Sequence, residues 1–297
     1  MVERIDQLRR KHQALILAHN YVEGEVQDIA DFVGDSLELS IKAKAAHAPV
    51  IVFCGVSFMA ETAKILSPDS LVLHPAPDAG CPMADMADAA AVAAWRAANP
   101  DAVIVAYVNT TAAVKAEVDI CCTSGNAERV IRSIPEGKRI LFLPDQNLGA
   151  NIAALTGRKL ELWPGYCPTH HRVLPDNVKA MRLQYPDAEL LVHPECSPAV
   201  VALADQALST GGMLRYVRES KCKRFLIGTE HGIIHRMQRE NPDKEFIELQ
   251  PRIHCPNMKK LSLENVTDAL ETLSPAVELP ADLIERARLP IERMLAL

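Results

Sequence analysis

The sequence predicts an α/β protein built from three similar three-layer αβα domains with short parallel sheets, facing a shared centre. Three repeating features predict this. Cysteine followed by proline occurs at Cys81-Pro82, Cys167-Pro168 and Cys255-Pro256, at intervals of 86 and 88 residues. Apolar runs of strand length end at His19, Tyr107 and His193, at intervals of 88 and 86 residues. Hydroxyl residues open helix-like segments at Ser36, Ser124 and Thr210, again 88 and 86 residues apart. A length of 297 residues alone suggests roughly two domains. The common interval points instead to one module of about 86 residues used three times.

Within each module the order reads strand, helix, strand, helix, strand. The first strands are Ala14–Ala18, Val103–Ala106 and Leu190–Val192. Their unbroken apolar character suits strands buried on both faces of a parallel sheet. Polar residues directly after them fall at the C-terminal strand ends, where open α/β sheets bind ligands. Further strands are read at Val50–Cys54, Ile140–Leu143 and Phe225–Ile227, then at Leu71–Leu73, Leu160–Trp163 and Phe246–Leu249. Asn99-Pro100-Asp101 and Tyr185-Pro186-Asp187 punctuate the chain just before new first strands. The expected domains are therefore 1–99, 100–186 and 187–262. The tail 263–297 carries two helical patterns and is expected to pack back on the first unit.

Composition excludes some functions. Apolar residues make up 48% and aromatics only 4%, which gives sizeable but aliphatic cores. A net charge of −6 without a basic cluster argues against nucleic acid as a partner. The charged start Met1–Lys11 has no long apolar run, so neither a signal peptide nor a membrane span is expected, and the reading is cytoplasmic. Eight cysteines in a reducing compartment then suit metal ligation or core packing better than disulfides.

The Cys-Pro dipeptides carry the chemistry. Proline keeps the preceding residue out of the helical region and is itself suited to a first helical position. A cysteine just before a helix N-terminus is expected to favour the thiolate, the form that binds soft metals. Three thiolates are an incomplete tetrahedral set. They suit either zinc with an open or histidine-filled fourth position, His170 or His171 being at hand, or a cubic iron–sulfur cluster with one free corner. Cys54, Cys121, Cys122, Cys196 and Cys222 have no triplicate context and read as structural. His19, Tyr107 and His193 at matching strand ends suggest one pocket, with Glu195 as a general base. Ser36, Ser124 and Thr210 suit helix caps that also leave N–H groups for an anion.

Along its whole length the chain resembles the quinolinate synthase family. The matching motifs include Ala18-His19-Asn20-Tyr21, Gly34-Asp35-Ser36, Phe58-Met59-Ala60-Glu61, Cys81-Pro82-Met83-Ala84, Tyr107-Val108-Asn109 and Cys122-Thr123-Ser124. They continue through Pro144-Asp145-Gln146-Asn147-Leu148-Gly149, Cys167-Pro168-Thr169-His170, His193-Pro194-Glu195-Cys196, Ser209-Thr210-Gly211, Ile227-Gly228-Thr229-Glu230 and Asn257-Met258-Lys259-Lys260. The resemblance implies a pseudo-threefold arrangement around a 4Fe-4S cluster held by Cys81, Cys167 and Cys255. It implies condensation of iminoaspartate with dihydroxyacetone phosphate to quinolinate, phosphate and water, with an open iron as Lewis acid. By position, His19, Ser36, Tyr107, Asn109, Ser124, His170, His193, Glu195, Ser209 and Thr210 are implied to bind substrate. Tyr21, Glu195 and His193 are implied to be catalytic, and an enzyme that supplies iminoaspartate is an implied partner. Rival readings are a zinc-dependent aldolase or hydro-lyase and a non-catalytic dicarboxylate-binding protein. Some relatives carry an extra Cys-x-x-Cys near the C-terminus; this tail has no cysteine, so no thiol switch is expected there.

Overall fold

The computed structural model describes residues 1–250 and 253–297. Its strands form three parallel sheets of four. The first contains β1 (Ala14–His19), β2 (Phe32–Gly34), β3 (Val50–Cys54) and β4 (Leu71–Leu73), in the order β2-β1-β3-β4. The second contains β5 (Val103–Tyr107), β6 (Ile120–Cys122), β7 (Ile140–Leu143) and β8 (Glu161–Leu162), ordered β6-β5-β7-β8. The third contains β9 (Glu189–Val192), β10 (Gln206–Ala207), β11 (Arg224–Gly228) and β12 (Glu245–Glu248), ordered β10-β9-β11-β12. Strand order is thus the same in all three, with helices between strands as parallel connections require.

Each sheet has one strand more than the sequence predicts. The additions β2, β6 and β10 are edge strands of two or three residues. No hydrophobic period can show in so short a run; pairing with the first strand defines them, as in Leu17 with Phe32, Val105 with Ile120 and Leu191 with Gln206. A fourth triplicate feature holds this edge. The side chains of Asp31, Asp119 and Asp205 accept the N–H of Ile16 (2.8 Å), Ile104 (2.7 Å) and Leu190 (2.8 Å). Each aspartate also pairs with an arginine, Arg9, Arg96 or Arg182.

The tail divides. The helix Leu263–Thr272 buries Val266 and Leu270 in the core beneath the first sheet. The helix Ala281–Leu295 does not follow it there alone. Its Ala287, Ile291 and Met294 complete the core of the second sheet, beside Ile65, Leu66 and Val114. The expectation that the whole tail packs on the first unit is corrected to a bridge. The apolar face of that last helix matches the gap between the helices at Ser57–Leu66 and Ala112–Lys115. Among the described residues no helix is long and apolar enough to cross a membrane.

Candidate metal centre and active site

Cys81, Cys167 and Cys255 line one cavity. Cys81 and Cys167 take the N-cap positions of the short helices Pro82–Asp85 and Pro168–His171, and Cys255 lies three residues before the 3-10 turn Met258–Lys260. The residue four further on returns its N–H to the cysteine carbonyl in all three, from Asp85 (3.2 Å), His171 (2.9 Å) and Lys259 (3.3 Å). Cys81 and Cys167 have extended backbone, as a following proline demands. The expected thiolates are not favoured by these turns alone. Burial pushes the Cys81 thiol up to about 12 despite N–H groups of Met83 and Ala84 aimed at it. Burial likewise raises Cys167, with repulsion from Glu195, and Cys255. Turns of three or four residues have too small a dipole to offset desolvation, and a bound cation is the kind of group that favours thiolates in such a place.

Around the cysteines lies a buried polar network. Tyr107 donates its hydroxyl to Glu195 Oε1 at 2.6 Å. His170 Nδ1 lies 2.7 Å from Glu195 Oε2 and 3.2 Å from Cys167 Sγ. Its Nε2 is 2.8 Å from Thr229 Oγ1, which lies 2.5 Å from the Tyr21 hydroxyl. Burial opposes ionisation of Glu195. Hydrogen bonds from His170 and Tyr107 favour the ionised form, and the carboxyl is held below its ordinary range. Burial and Glu195 push both phenols, Tyr21 and Tyr107, well up, so they are hydroxyl donors. Thr229 was not singled out as a site residue from sequence. The signal was present in its place just past β11, in Ile227-Gly228-Thr229-Glu230.

His19 and His193 are built alike. Each Nδ1 accepts the backbone N–H two residues on, of Tyr21 and of Glu195, at 3.2 Å. The proton therefore sits on Nε2. Burial lowers both imidazoles to about 3, so they are neutral donors near pH 7. His193 Nε2 meets Ser124 Oγ at 3.1 Å. The 3.8 Å approach of His193 Nδ1 to Glu195 is consequently no ion pair.

Tyr21, Ser36, Tyr107, Asn109, Ser124, His170, Glu195 and Thr210 line the cavity with His19, His193 and the three cysteines. Asn109 Oδ1 is buried without a hydrogen-bond partner. Ser209 is not among the lining residues. It caps the helix Thr210–Glu219 through Gly212 N (3.2 Å) and donates to Asp35 Oδ2 (3.3 Å). The expected caps also shift. Asp35, not Ser36, caps the helix Ser36–Ala45 by accepting from Leu37 and Glu38, and Asn126, not Ser124, takes the N-cap position of the helix Ala127–Ser133. In the first case the Asp35 carboxylate is the stronger acceptor for the helix N–H groups, which leaves the Ser36 hydroxyl to the cavity. Among the described lining residues there is no lysine or arginine.

Three parallel sheets that bring three cysteines, a carboxylate and neutral imidazoles to one cavity define an α/β protein with a candidate metal-binding active site. Cys167, His170 and Glu195 place ligand atoms within 4.8 Å of one another, a geometry that can hold a metal ion. Comparison with known proteins narrows the class. The family model described as quinolinate synthetase A protein matches residues 3–296. A quinolinate synthase of Pelobacter propionicus is 53% identical over 99% of this chain and 97% of its own length. Those of Geobacter metallireducens and Methanoregula boonei are each 51% identical, over 99% of this chain and 97% of theirs. The chain belongs to the quinolinate synthase family, enzymes of NAD biosynthesis.

Proposed function

We propose that the chain condenses iminoaspartate with dihydroxyacetone phosphate, releasing quinolinate, phosphate and water, with a 4Fe-4S cluster held by Cys81, Cys167 and Cys255. The observation that carries this reading is the convergence of one cysteine from beside each sheet on a single cavity. The donor set fits the cluster: three thiols in matching turns, with Val56, Phe58, Met59, Met83 and Met258 as an apolar surround. Bound there, the cluster supplies a Lewis-acidic iron with an open coordination position.

The chain's own residues do the rest. Condensation forms one carbon–carbon bond and one carbon–nitrogen bond, and phosphate leaves as an anion. Protons must move off carbon and onto departing oxygens. Glu195, ionised and flanked by His170 and Tyr107, takes protons, while the Tyr21 phenol donates and recovers them. His19 and His193 offer Nε2–H to substrate carboxylates without adding charge. Ser36, Asn109, Ser124 and Thr210 bind carboxylate and phosphate oxygens. Ser209 acts from behind, by fixing the helix that carries Thr210. Reaction occurs in the cytoplasm, where the cysteines stay reduced, with iminoaspartate delivered by a separate enzyme.

A second reading has one observation in its favour. The Cys167, His170 and Glu195 cluster suits mononuclear zinc. It leaves Cys81 and Cys255 without a role, so the iron–sulfur reading ranks first. Anaerobic purification with metal analysis tests both. About four irons per chain and a brown protein support the cluster. A colourless protein with one zinc, active in air, overturns it.

A further inference from the structure

The backbone of each cysteine turn is tied to a strand end in a way that is the same in outline and different in one atom group. Just past β3, β7 and β11, the N–H of Ser57, Gln146 and His231 donates to the carbonyl two residues before the cysteine: Ala79 (2.9 Å), Gly165 (2.8 Å) and Ile253 (2.9 Å). This sets the three units in register. The residues immediately before these donors, Val56, Asp145 and Glu230, are therefore equivalent. Two are carboxylic acids and one is apolar.

Both acidic side chains do two jobs. Asp145 Oδ1 accepts from Asn147 (2.8 Å) and Leu148 (2.9 Å), capping the helix Gln146–Thr156. Its Oδ2 accepts the N–H of Cys167 at 3.2 Å. Glu230 Oε2 accepts from Gly232 (2.7 Å), and its Oε1 accepts the N–H of Cys255 at 3.1 Å. Lys259 approaches both oxygens, at 3.1 and 3.3 Å, and also holds Tyr21 O (2.8 Å). Both acids are fully buried. The fit is close at Gly165, where a Cβ would stand 2.4 Å from Pro144 O. An amide in either place cannot serve both partners as the acid does. An amide offers one oxygen, and its nitrogen would face a second N–H.

We propose that Asp145 and Glu230 are positioning residues that set the Cys167 and Cys255 turns for metal binding, while the Cys81 turn, beside Val56, has no such clamp among the described residues. The inference rests on the iron–sulfur reading above. The general rule is that groups orienting metal ligands cost about 10–100-fold in affinity or activity when lost.

The test uses Asp145→Asn, Asp145→Ser and Glu230→Gln in the full chain, each purified anaerobically. Serine keeps the helix cap but falls short of Cys167 N. The expected result is iron extraction by a chelator about 10–100-fold faster than in the unaltered protein. A changed electron paramagnetic resonance spectrum of the reduced cluster should accompany it. Circular dichroism should show the native secondary structure. If these variants fold and keep iron as the unaltered protein does, with the same spectrum, the clamp is overturned. Should Asp145→Asn fail to fold, Asp145→Ser and Glu230→Gln decide. Cys167→Ser separates this from failure of the reading itself: if the unaltered protein holds no iron, or keeps it without Cys167, the iron–sulfur reading falls first.

Discussion

The ends of β1 and β9 use the same scaffold for different chemistry. In both, a histidine closes the strand and its Nδ1 takes the backbone N–H two residues on. In both, burial strips the imidazole of charge. The residue that supplies that N–H is Tyr21 in the first unit and Glu195 in the third. One places a weak acid in the cavity, the other a carboxylate held ionised. The repeat thus fixes where a side chain stands, and substitution at that point decides what it does. The second unit makes the same point with Tyr107, which points its hydroxyl at Glu195 instead of presenting an imidazole.

Perturbing features shared by all units should cost most. Serine at Cys81, Cys167 or Cys255 is expected to abolish iron retention and activity, measured by iron analysis and turnover. Alanine at Cys54, buried but outside the cavity, should leave both intact. Next come the differences between units. Glu195→Gln should lower kcat by about 10³-fold and Tyr21→Phe by about 10²-fold, within the usual range for lost acid–base groups. Equal losses at both positions would remove the distinction drawn between them. KM should change far less than kcat in each case.

A smaller effect is expected at the edge strands. Asp205→Ala removes the acceptor for Leu190 N–H and the partner of Arg182. Chemical denaturation should show a loss of about 1 kcal/mol, modest because the pair is half exposed. Burial raises the Asp205 carboxyl, but Arg182 and the Leu190 N–H hold it below its unfolded value. Its stabilisation is therefore fully present above pH about 4, the ordinary aspartate value, and is lost as pH falls through the depressed one. Melting curves across pH 2–6 should show a smaller acid-induced drop in the variant. Cys222→Ser should be the mildest change, within about 0.5 kcal/mol of the unaltered protein and without effect on iron.

The sequence shows what the repeat writes in residue types. Cys-Pro pairs, strand-end histidines and long apolar strands were readable because each depends on a short local pattern. Hidden were features that exist only through pairing. β10 has two residues and takes its identity from β9. Asp35 outcompetes Ser36 for the helix N–H groups, which no propensity scale reveals when both residues cap well. The last helix bridges two cores because of shape, with Ile291 and Met294 filling space beside β6. The Asp31, Asp119 and Asp205 series was visible as a fourth common interval, and a search over polar residues for that period finds it. The clamp at Asp145 and Glu230 required three-dimensional contact to acquire meaning.

The absence of lysine and arginine from the described cavity lining has a kinetic consequence. A ligand with two negative charges approaches a chain of net charge −6 and finds no lysine or arginine among the described lining residues, so the chain's overall charge opposes the encounter. Added salt screens that repulsion. Second-order capture should therefore accelerate modestly with ionic strength, the reverse of an electrostatically steered enzyme.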